Sequence, residues 1–143
     1  VLFRCRHALH PPWDQSLHRT RGASLLTDYL RVLGPHHPLT LNTRHNCARW
    51  RGEAGDPVGA VAAFDELLTD YLEVLGPDHP QTLNTRGHHA RWRGKAGDLA
   101  GAVTSFGDLL ADQLRVLGPD HPHTLNTRQN LALWRRSCED TAD

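Results

Sequence analysis

Histidine is the residue whose number and spacing in this sequence most suggest chemistry, and that chemistry would be metal binding. The chain of 143 residues has eleven histidines, with close groups at 36–37, at 88–89, and at 121 and 123. Adjacent residues on a helix point about 100° apart, so His88 and His89 do not easily share one ion. His37, His79 and His121 each precede a proline in the same recurring segment, which indicates an architectural position. Because no Cys-x-x-Cys or His-Glu-x-x-His pattern is present, the sequence predicts no metal site.

Nucleophilic catalysis is the second chemistry to consider, and Cys47 is the residue that suggests it. His45 precedes it by two positions, but side chains at i and i+2 diverge on a helix, so they do not form a nucleophile–base pair. The sequence also lacks a Gly-x-Ser-x-Gly elbow and a phosphate-binding loop. We therefore predict no catalytic residue, no cofactor and no enzymatic activity, and interpret Cys47 as a small core residue.

A repeat with a spacing of 42 residues dominates the sequence. Leu-Gly-Pro-His-His-Pro at 33–38 returns as Leu-Gly-Pro-Asp-His-Pro at 75–80 and 117–122. Thr-Leu-Asn-Thr-Arg stands at 40–44, 82–86 and 124–128, and Gly-Asp at 55–56 returns at 97–98. Self-similarity at a fixed period of this length is the signature of stacked repeat units that share one continuous core.

Each repeat unit is predicted to contain two helices. Val61, Phe64, Leu68 and Leu72 follow i, i+3, i+4 spacing and form one apolar stripe. A glycine followed by a proline ends such a helix. We predict A helices near 38–54, 80–96 and 122–136, B helices near 57–75 and 99–117, and a partial B helix at about 23–33. Trp50, Trp92 and Trp134 repeat at the same spacing and are expected to pack between units.

The predicted organisation has three parts. Residues 1–22 match no repeat and are interpreted as a leader, which is disordered, a decayed helix, or sequence read from a shifted frame. Residues 23–136 form the repeat array, with units near 23–37 (partial), 38–79, 80–121 and 122–136 (partial). Residues 137–143 form a polar tail.

Taken together, these motifs resemble the tetratricopeptide repeat in the 42-residue form typical of kinesin light chains and many bacterial repeat proteins. The matching features are the connector, the Gly-Asp turn, the Ala and Phe of the B helix, and the segments 46–48 and 130–132. Arg44, Arg86 and Arg128 depart from the family pattern, which has an apolar residue there, and His88-His89 replaces Asn-Leu. The resemblance implies an all-α fold, a right-handed solenoid of antiparallel helix pairs with about two and a half to three units.

The resemblance also implies a function, that of a non-catalytic scaffold holding a segment of a partner protein in its concave face. In this family the A helices line that face. By family position, the residues expected to face the groove are Asn42, His45, Asn46, Arg49, Asn84, His88, Arg91, Asn126, Gln129 and Asn130.

Charge is divided between the two kinds of helix. The predicted A helices contain ten Arg or Lys residues against Glu53, and the B helices at 57–75 and 99–117 contain six acids against Arg115. A groove lined by A helices would therefore be basic and would prefer an acidic segment. In the alternative interpretation, the arginines pair with B-helix acids or extend into solvent. The asparagines also have two interpretations, since their amides can grip a peptide backbone or bond within the first turn of their own helices.

Composition limits the partner classes. The formal net charge is zero, with 16 basic and 16 acidic residues, so no pervasive positive field attracts nucleic acid or an anionic membrane. No apolar run approaches the roughly 18 residues of a membrane span. Three widely spaced cysteines predict no disulfide framework, and a reducing, cytoplasmic context follows as the default.

Two other functions are kept as alternatives. The first is a sensor or regulatory segment of a larger bacterial signalling ATPase, which sequence upstream of Val1 would test. The second is self-association, because the last A helix has no B helix after it and Leu125, Leu131 and Trp134 would leave an apolar flank open. A homodimer through that terminal helix is the expected result.

Overall fold

The computed structural model describes the backbone of residues 13–141 and the side chains from Thr20 onward. Within this part there are six helices and no strand: α1 (Trp13–Val32), α2 (Pro38–Glu53), α3 (Pro57–Leu75), α4 (Pro80–Lys95), α5 (Leu99–Val116) and α6 (Pro122–Asp140). The predicted A helices are α2, α4 and α6, and the B helices are α3 and α5. None of the described helices has the length and apolar character needed to cross a membrane.

The two ends of the chain differ from the predicted boundaries. The first twelve residues of the predicted leader lie outside the described residues, whereas α1 begins at Trp13, ahead of the expected start near 23. At the other end, α6 continues through most of the predicted tail to Asp140.

A histidine and a proline start each A helix. Nδ1 of His37, His79 and His121 accepts a hydrogen bond from the backbone N–H two residues later, at 3.2 Å in each case. The proline that follows occupies the first helical turn, where a missing N–H costs nothing. The recurring histidines are therefore helix caps.

An aspartate caps each of the B helices α3 and α5. Asp56 accepts from the Gly59 N–H at 2.8 Å, and Asp98 accepts from the Gly101 N–H at 2.9 Å. Gly76, at the end of α3, has a φ of 83°, in the region that only glycine adopts without strain.

The core consists of two clusters, each built where three consecutive helices meet. Phe64, Leu67 and Tyr71 of α3 are at most 2% exposed and pack with Leu41 and Ala48 of α2. The second cluster joins residues of α4, α5 and α6, namely Leu83, Ala90, Phe106, Leu109 and Leu131. Successive helices therefore stack as a solenoid.

Tryptophans lock each A helix against a preceding helix. The ring of Trp92 in α4 lies over Gly52 of α2, and that of Trp134 in α6 lies over Gly94 of α4. A Cβ atom at either glycine would lie 2.6 Å from the ring. The prediction that these tryptophans pack between units is confirmed, and the glycines make the close approach possible.

Ion pairs join α2 to α3 and α4 to α5. Arg44 pairs with Asp70, and Nη1 of Arg86 lies 2.7 Å from Oδ2 of Asp112. The hydrogen bond from Arg86 is the main reason that the pKa of Asp112 is lowered. For these two arginines, the interpretation in which A-helix bases pair with B-helix acids is correct.

Candidate functional site

An open groove lies between α4 and α6, with α5 as its floor. Its volume is about 480 Å³. The floor is apolar and formed by Phe106 and Leu109, both at most 2% exposed. The walls are one face of α4 and one face of α6, and both faces carry polar side chains. We call this space the α4–α6 groove.

The two ends of the α4–α6 groove differ in chemistry. Asn84, Gln113, His123 and Asn126 line the end where α4 and α6 begin, so that end offers neutral donors and acceptors. Arg91 and Lys95 lie toward the other end. No carboxylate is among the described residues that line the groove. The potential in the groove is therefore positive near one end and close to neutral at the other.

His88 stands on the groove wall as a neutral ring at neutral pH. Burial, with Arg49 and Arg91 nearby, lowers its pKa from the ordinary value of 6.5. Its ring lies 4.9 Å from that of His45, centroid to centroid. Among the described residues, no three His, Cys, Asp or Glu side chains come together as metal ligands would.

The structure brings together five of the residues expected to face the groove. Asn84, His88, Arg91, Asn126 and Asn130 all line the α4–α6 groove. The other predicted positions lie elsewhere: Asn42, Asn46, Arg49 and Gln129 do not line it. Arg49 lies 3.5 Å from Glu53 in its own helix.

His45 differs from its predicted position facing the groove. Its side chain is buried, with 8% exposure, between α2, α3 and α4. Nδ1 lies 3.1 Å from the Thr85 hydroxyl, and the ring packs edge-on against Phe64 at 5.3 Å. The cause is steric, because α2, α3 and α4 enclose a space above Phe64 and the imidazole of His45 fills that space.

The asparagines follow both interpretations. Nδ2 of Asn130 donates to the backbone oxygen of Asn126 at 2.9 Å and to its Oδ1 at 3.0 Å. These two amides therefore bond within α6 and also line the groove. Asn84 is exposed on the groove wall with no such internal bond in the described part of the chain.

Sequence reasoning missed several groove residues, of which Gly87, Gln113 and Lys95 matter most for what the groove can bind. Gly87 leaves the space that His45 fills one repeat earlier, Gln113 comes from a B helix, and Lys95 stands at the end of α4. Comparing each repeat column would have found Gly87, because it is aligned with His45 and Gln129. No comparable signal marks Gln113, which replaces the buried Tyr71 of the preceding repeat.

The comparisons with known proteins agree on the fold. A family model described as tetratricopeptide repeat matches residues 40–81 and 82–123. No curated protein sequence matches the chain. A crystal structure from Podosopora anserina, described as nearly identical TPR-like repeats of a kinesin light chain type, is similar with a TM-score of 0.78 and 22% identity. That similarity covers 85% of this chain and 58% of the solved one.

A second solved structure, a variant of the same Podosopora anserina protein, gives a TM-score of 0.77 at 22% identity, over 85% of this chain and 57% of the other. The chain thus spans less than three fifths of the solved chains that it resembles. The two matched repeats make up more than half of the sequence and coincide with the helix pairs of the structure. This chain belongs to the tetratricopeptide repeat family.

Proposed function

We propose that this chain is a scaffold that holds an acidic segment of a partner protein in the α4–α6 groove. Tetratricopeptide repeats generally act as non-catalytic surfaces for protein interaction. The observation that carries the acidic preference is that both Arg91 and Lys95 line a groove with no carboxylate among its described residues. A protein is the expected partner, rather than nucleic acid or a membrane, because the whole chain has no net charge.

The arginines of the solenoid divide into two groups. Arg44, Arg51, Arg86 and Arg93 each pair with an aspartate and hold the helices or their turns together. Arg91 is exposed on the groove wall and has no carboxylate partner among the described residues. A carboxylate of a bound segment would supply that partner.

Lys95 supports the same end of the groove. Its ammonium lies 4.5 Å from the centre of the Trp92 ring, a cation–π contact that orients the side chain. At the other end, the exposed amides of Asn84 and Asn126 can donate to and accept from a peptide backbone, whatever its sequence. The segment therefore runs along the groove with its acidic residues near Arg91 and Lys95.

Titration of labelled acidic peptides with the full chain, followed by fluorescence anisotropy at low and physiological salt, tests this proposal. Arg91→Ala combined with Lys95→Ala should weaken binding by about threefold to thirtyfold, because exposed ion pairs contribute up to about 1 kcal/mol each. The loss should shrink as salt is added. Arg135→Ala with Arg136→Ala removes the same charge from exposed positions outside the groove and should leave binding nearly unchanged.

Two results would contradict the proposal. One is the absence of binding to any acidic peptide at either salt concentration. The other is an equal loss of affinity in the two double variants, which would assign the effect to overall charge rather than to the groove.

Self-association is a second candidate function, favoured by the outer face of α6. Leu125 is 41% exposed, whereas Leu83, its counterpart one repeat earlier, is 2% exposed. Arg128 has no ion-pair partner in the described part of the chain, whereas Arg44 and Arg86 at the same repeat position have one. Leu131 is buried and Trp134 lies in the groove, so of the three residues expected on an open flank only Leu125 is exposed.

Helix α1 carries the complementary half of that contact. Leu25 is 44% exposed, although Leu67 and Leu109 at the same repeat position are 1% exposed. Asp28 is aligned with Asp70 and Asp112, the partners of Arg44 and Arg86, and has a side chain 61% exposed. We therefore infer that α6 of one copy packs on α1 of the next, as α2 packs on α3.

The remaining alternative, a regulatory segment of a larger bacterial signalling ATPase, is a prediction about sequence outside this chain. The reducing, cytoplasmic context drawn from the cysteines is likewise a prediction, and Cys47 and Cys138 are free thiols in the structure.

A further inference from the structure

The two junctions of three helices differ in whether a side chain occupies one repeat position on the first A helix of each. His45 of α2 fills the space between α2, α3 and α4, whereas Gly87 stands at the same repeat position in α4. The space between α4, α5 and α6 is consequently open and forms the middle of the α4–α6 groove. One junction thus shows what the other can bind.

His45 shows the contacts that an occupant of such a junction makes. Its ring nitrogen lies 3.1 Å from the hydroxyl of Thr85, on the next A helix. The ring stands edge-on to Phe64, on the B helix that forms the floor, at 5.3 Å and 78° between planes. A planar ring with a hydrogen-bonding nitrogen satisfies both neighbours.

The open junction retains two of the three side chains that contact the His45 ring. Thr127 stands where Thr85 does, and Phe106 stands where Phe64 does, and both line the groove. Asn130 replaces His88 and also lines it. The groove therefore contains the receiving half of the His45 contacts but not the imidazole itself.

Gln113 independently indicates that this groove receives a polar ligand. The residue is 3% exposed, it lines the groove, and its side-chain oxygen is buried without a hydrogen-bond partner among the described residues. A buried acceptor without a partner costs roughly 1–3 kcal/mol, so such groups are seldom left unsatisfied. Gln113 lies two helical turns from Phe106, about 10 Å along α5. A backbone donor of the bound segment, a few residues from the one seated on Phe106, would reach it.

We propose that the α4–α6 groove binds a histidine side chain of the partner segment, seated beside Gly87 on Phe106 and hydrogen-bonded to Thr127. This inference rests on the proposed function, because it names the residue that anchors the bound segment. The groove volume of about 480 Å³ exceeds that of one side chain, so it also accommodates the adjoining backbone.

Three labelled acidic peptides that differ only at one central residue, His, Ala or Phe, provide the test. Fluorescence anisotropy with the full chain should give about tenfold tighter binding of the His peptide than of the Ala peptide, since a ring contact and a hydrogen bond each contribute roughly twofold to tenfold. The Phe peptide should fall between them because it makes the ring contact alone.

Gly87→His should remove the preference for the His peptide by filling the groove with the side chain that the preceding repeat already has. An added Cβ at Gly87 would lie 3.5 Å from Cδ2 of Leu109, an ordinary contact, so the variant should fold. Gly107→His is the matched control, because an added Cβ there meets nothing within 4 Å and the residue does not line the groove. This control should retain the preference, and circular dichroism should show unchanged helicity in both variants.

The outcomes separate this inference from the proposed function. Equal affinity for the three peptides would overturn the histidine site while leaving the acidic groove in place. Binding of the Phe peptide as tight as that of the His peptide would overturn the hydrogen bond to Thr127, and with it the proposal. A preference that persists in Gly87→His would place the anchor elsewhere, and failure of all three peptides to bind would overturn both proposals.

Discussion

His45 occupies a position in which its own protonation opposes folding. Burial, together with the nearby His88 and Arg49, lowers its pKa from 6.5 to about 4. The pKa values of His88 and His89 are lowered as well, mainly by burial. All three rings are therefore favoured in their neutral form by the folded chain.

We predict that the chain becomes less stable as the pH falls from about 6.5 to about 4. The unfolded chain takes up the His45 proton near 6.5 and the folded chain only near 4, so the unfolded state binds more protons in this range. The stabilising contribution is complete above pH 6.5, and its loss amounts to about 3 kcal/mol at most. Urea unfolding midpoints at pH 7.5, 5.5 and 4.5 measure it.

The variant His45→Gln should show a smaller decrease in midpoint over the same range, because its side chain does not titrate. His36→Gln, at a side chain 52% exposed, should follow the parent chain. If His45→Gln lost as much stability as the parent on acidification, the pH dependence would come from other groups.

The contrast between His45 and Gly87 shows where prediction from sequence ends at the residue scale. Family position placed both His45 and His88 in the groove. A repeat position predicts which face of the helix a side chain lies on, but not how much space the neighbouring helices leave for it. His45 is buried because α3 and α4 enclose it, whereas Gly87 has no side chain to attract notice. The function of Gly87 becomes visible only when the neighbours that His45 contacts are found around an open space.

At the element scale, the glycines of the A helices set the distance between repeat units. Gly52 and Gly94 stand where glycine weakens a helix by up to about 1 kcal/mol relative to alanine. Both glycines lie under tryptophan rings that leave no room for a methyl group. Packing therefore overrides helix propensity at these positions.

We predict that Gly94→Ala destabilises the chain by about 1–3 kcal/mol, because the added methyl would lie 2.6 Å from the Trp134 ring and force repacking. Gly107→Ala should instead stabilise it by about 0.5–1 kcal/mol, since nothing lies within 4 Å of that position and α5 gains helix propensity. Chemical unfolding of the two variants beside the parent measures both effects. Stabilisation by Gly94→Ala would show that the tryptophan moves aside easily.

The elements were largely predictable because each end has a local signal. Histidine before proline starts α2, α4 and α6, and glycine before proline ends α1, α3 and α5, so the positions of the later helices agree with expectation. The start of α1 was not predicted, although His10 also precedes Pro11, because no helical stripe of apolar residues follows that signal. Between Trp13 and Gly22 the only apolar residues are Trp13 and Leu17, too few to make a helical stripe.

At the scale of the whole molecule, the first and the last described helices present unlike surfaces. One presents Asp28 and Leu25 on a B helix, and the other presents Arg128 and Leu125 on an A helix. A contact between them joins different surfaces on the two copies, so it builds head-to-tail rings or chains and not the two-fold homodimer expected from the sequence.

We predict that Arg128→Glu or Asp28→Arg alone weakens self-association by about tenfold, because each places like charges in contact. The double variant should restore association by reversing the pair. Arg135→Glu, at an exposed position on α6, should leave it unchanged. Sedimentation velocity across a wide range of protein concentrations measures these changes, and a parent chain that is monomeric throughout would rule out the contact.

One junction of the solenoid is filled and the next is open, and this difference comes from side chains rather than from the fold. Two repeats with the same order of helices differ at this position, where one carries His45 and the other Gly87. In an array of this kind, binding specificity depends on which junctions are filled by a side chain and which are open. The spacing of open junctions along such an array would then fix how many residues must separate the anchoring side chains of any segment that binds to it.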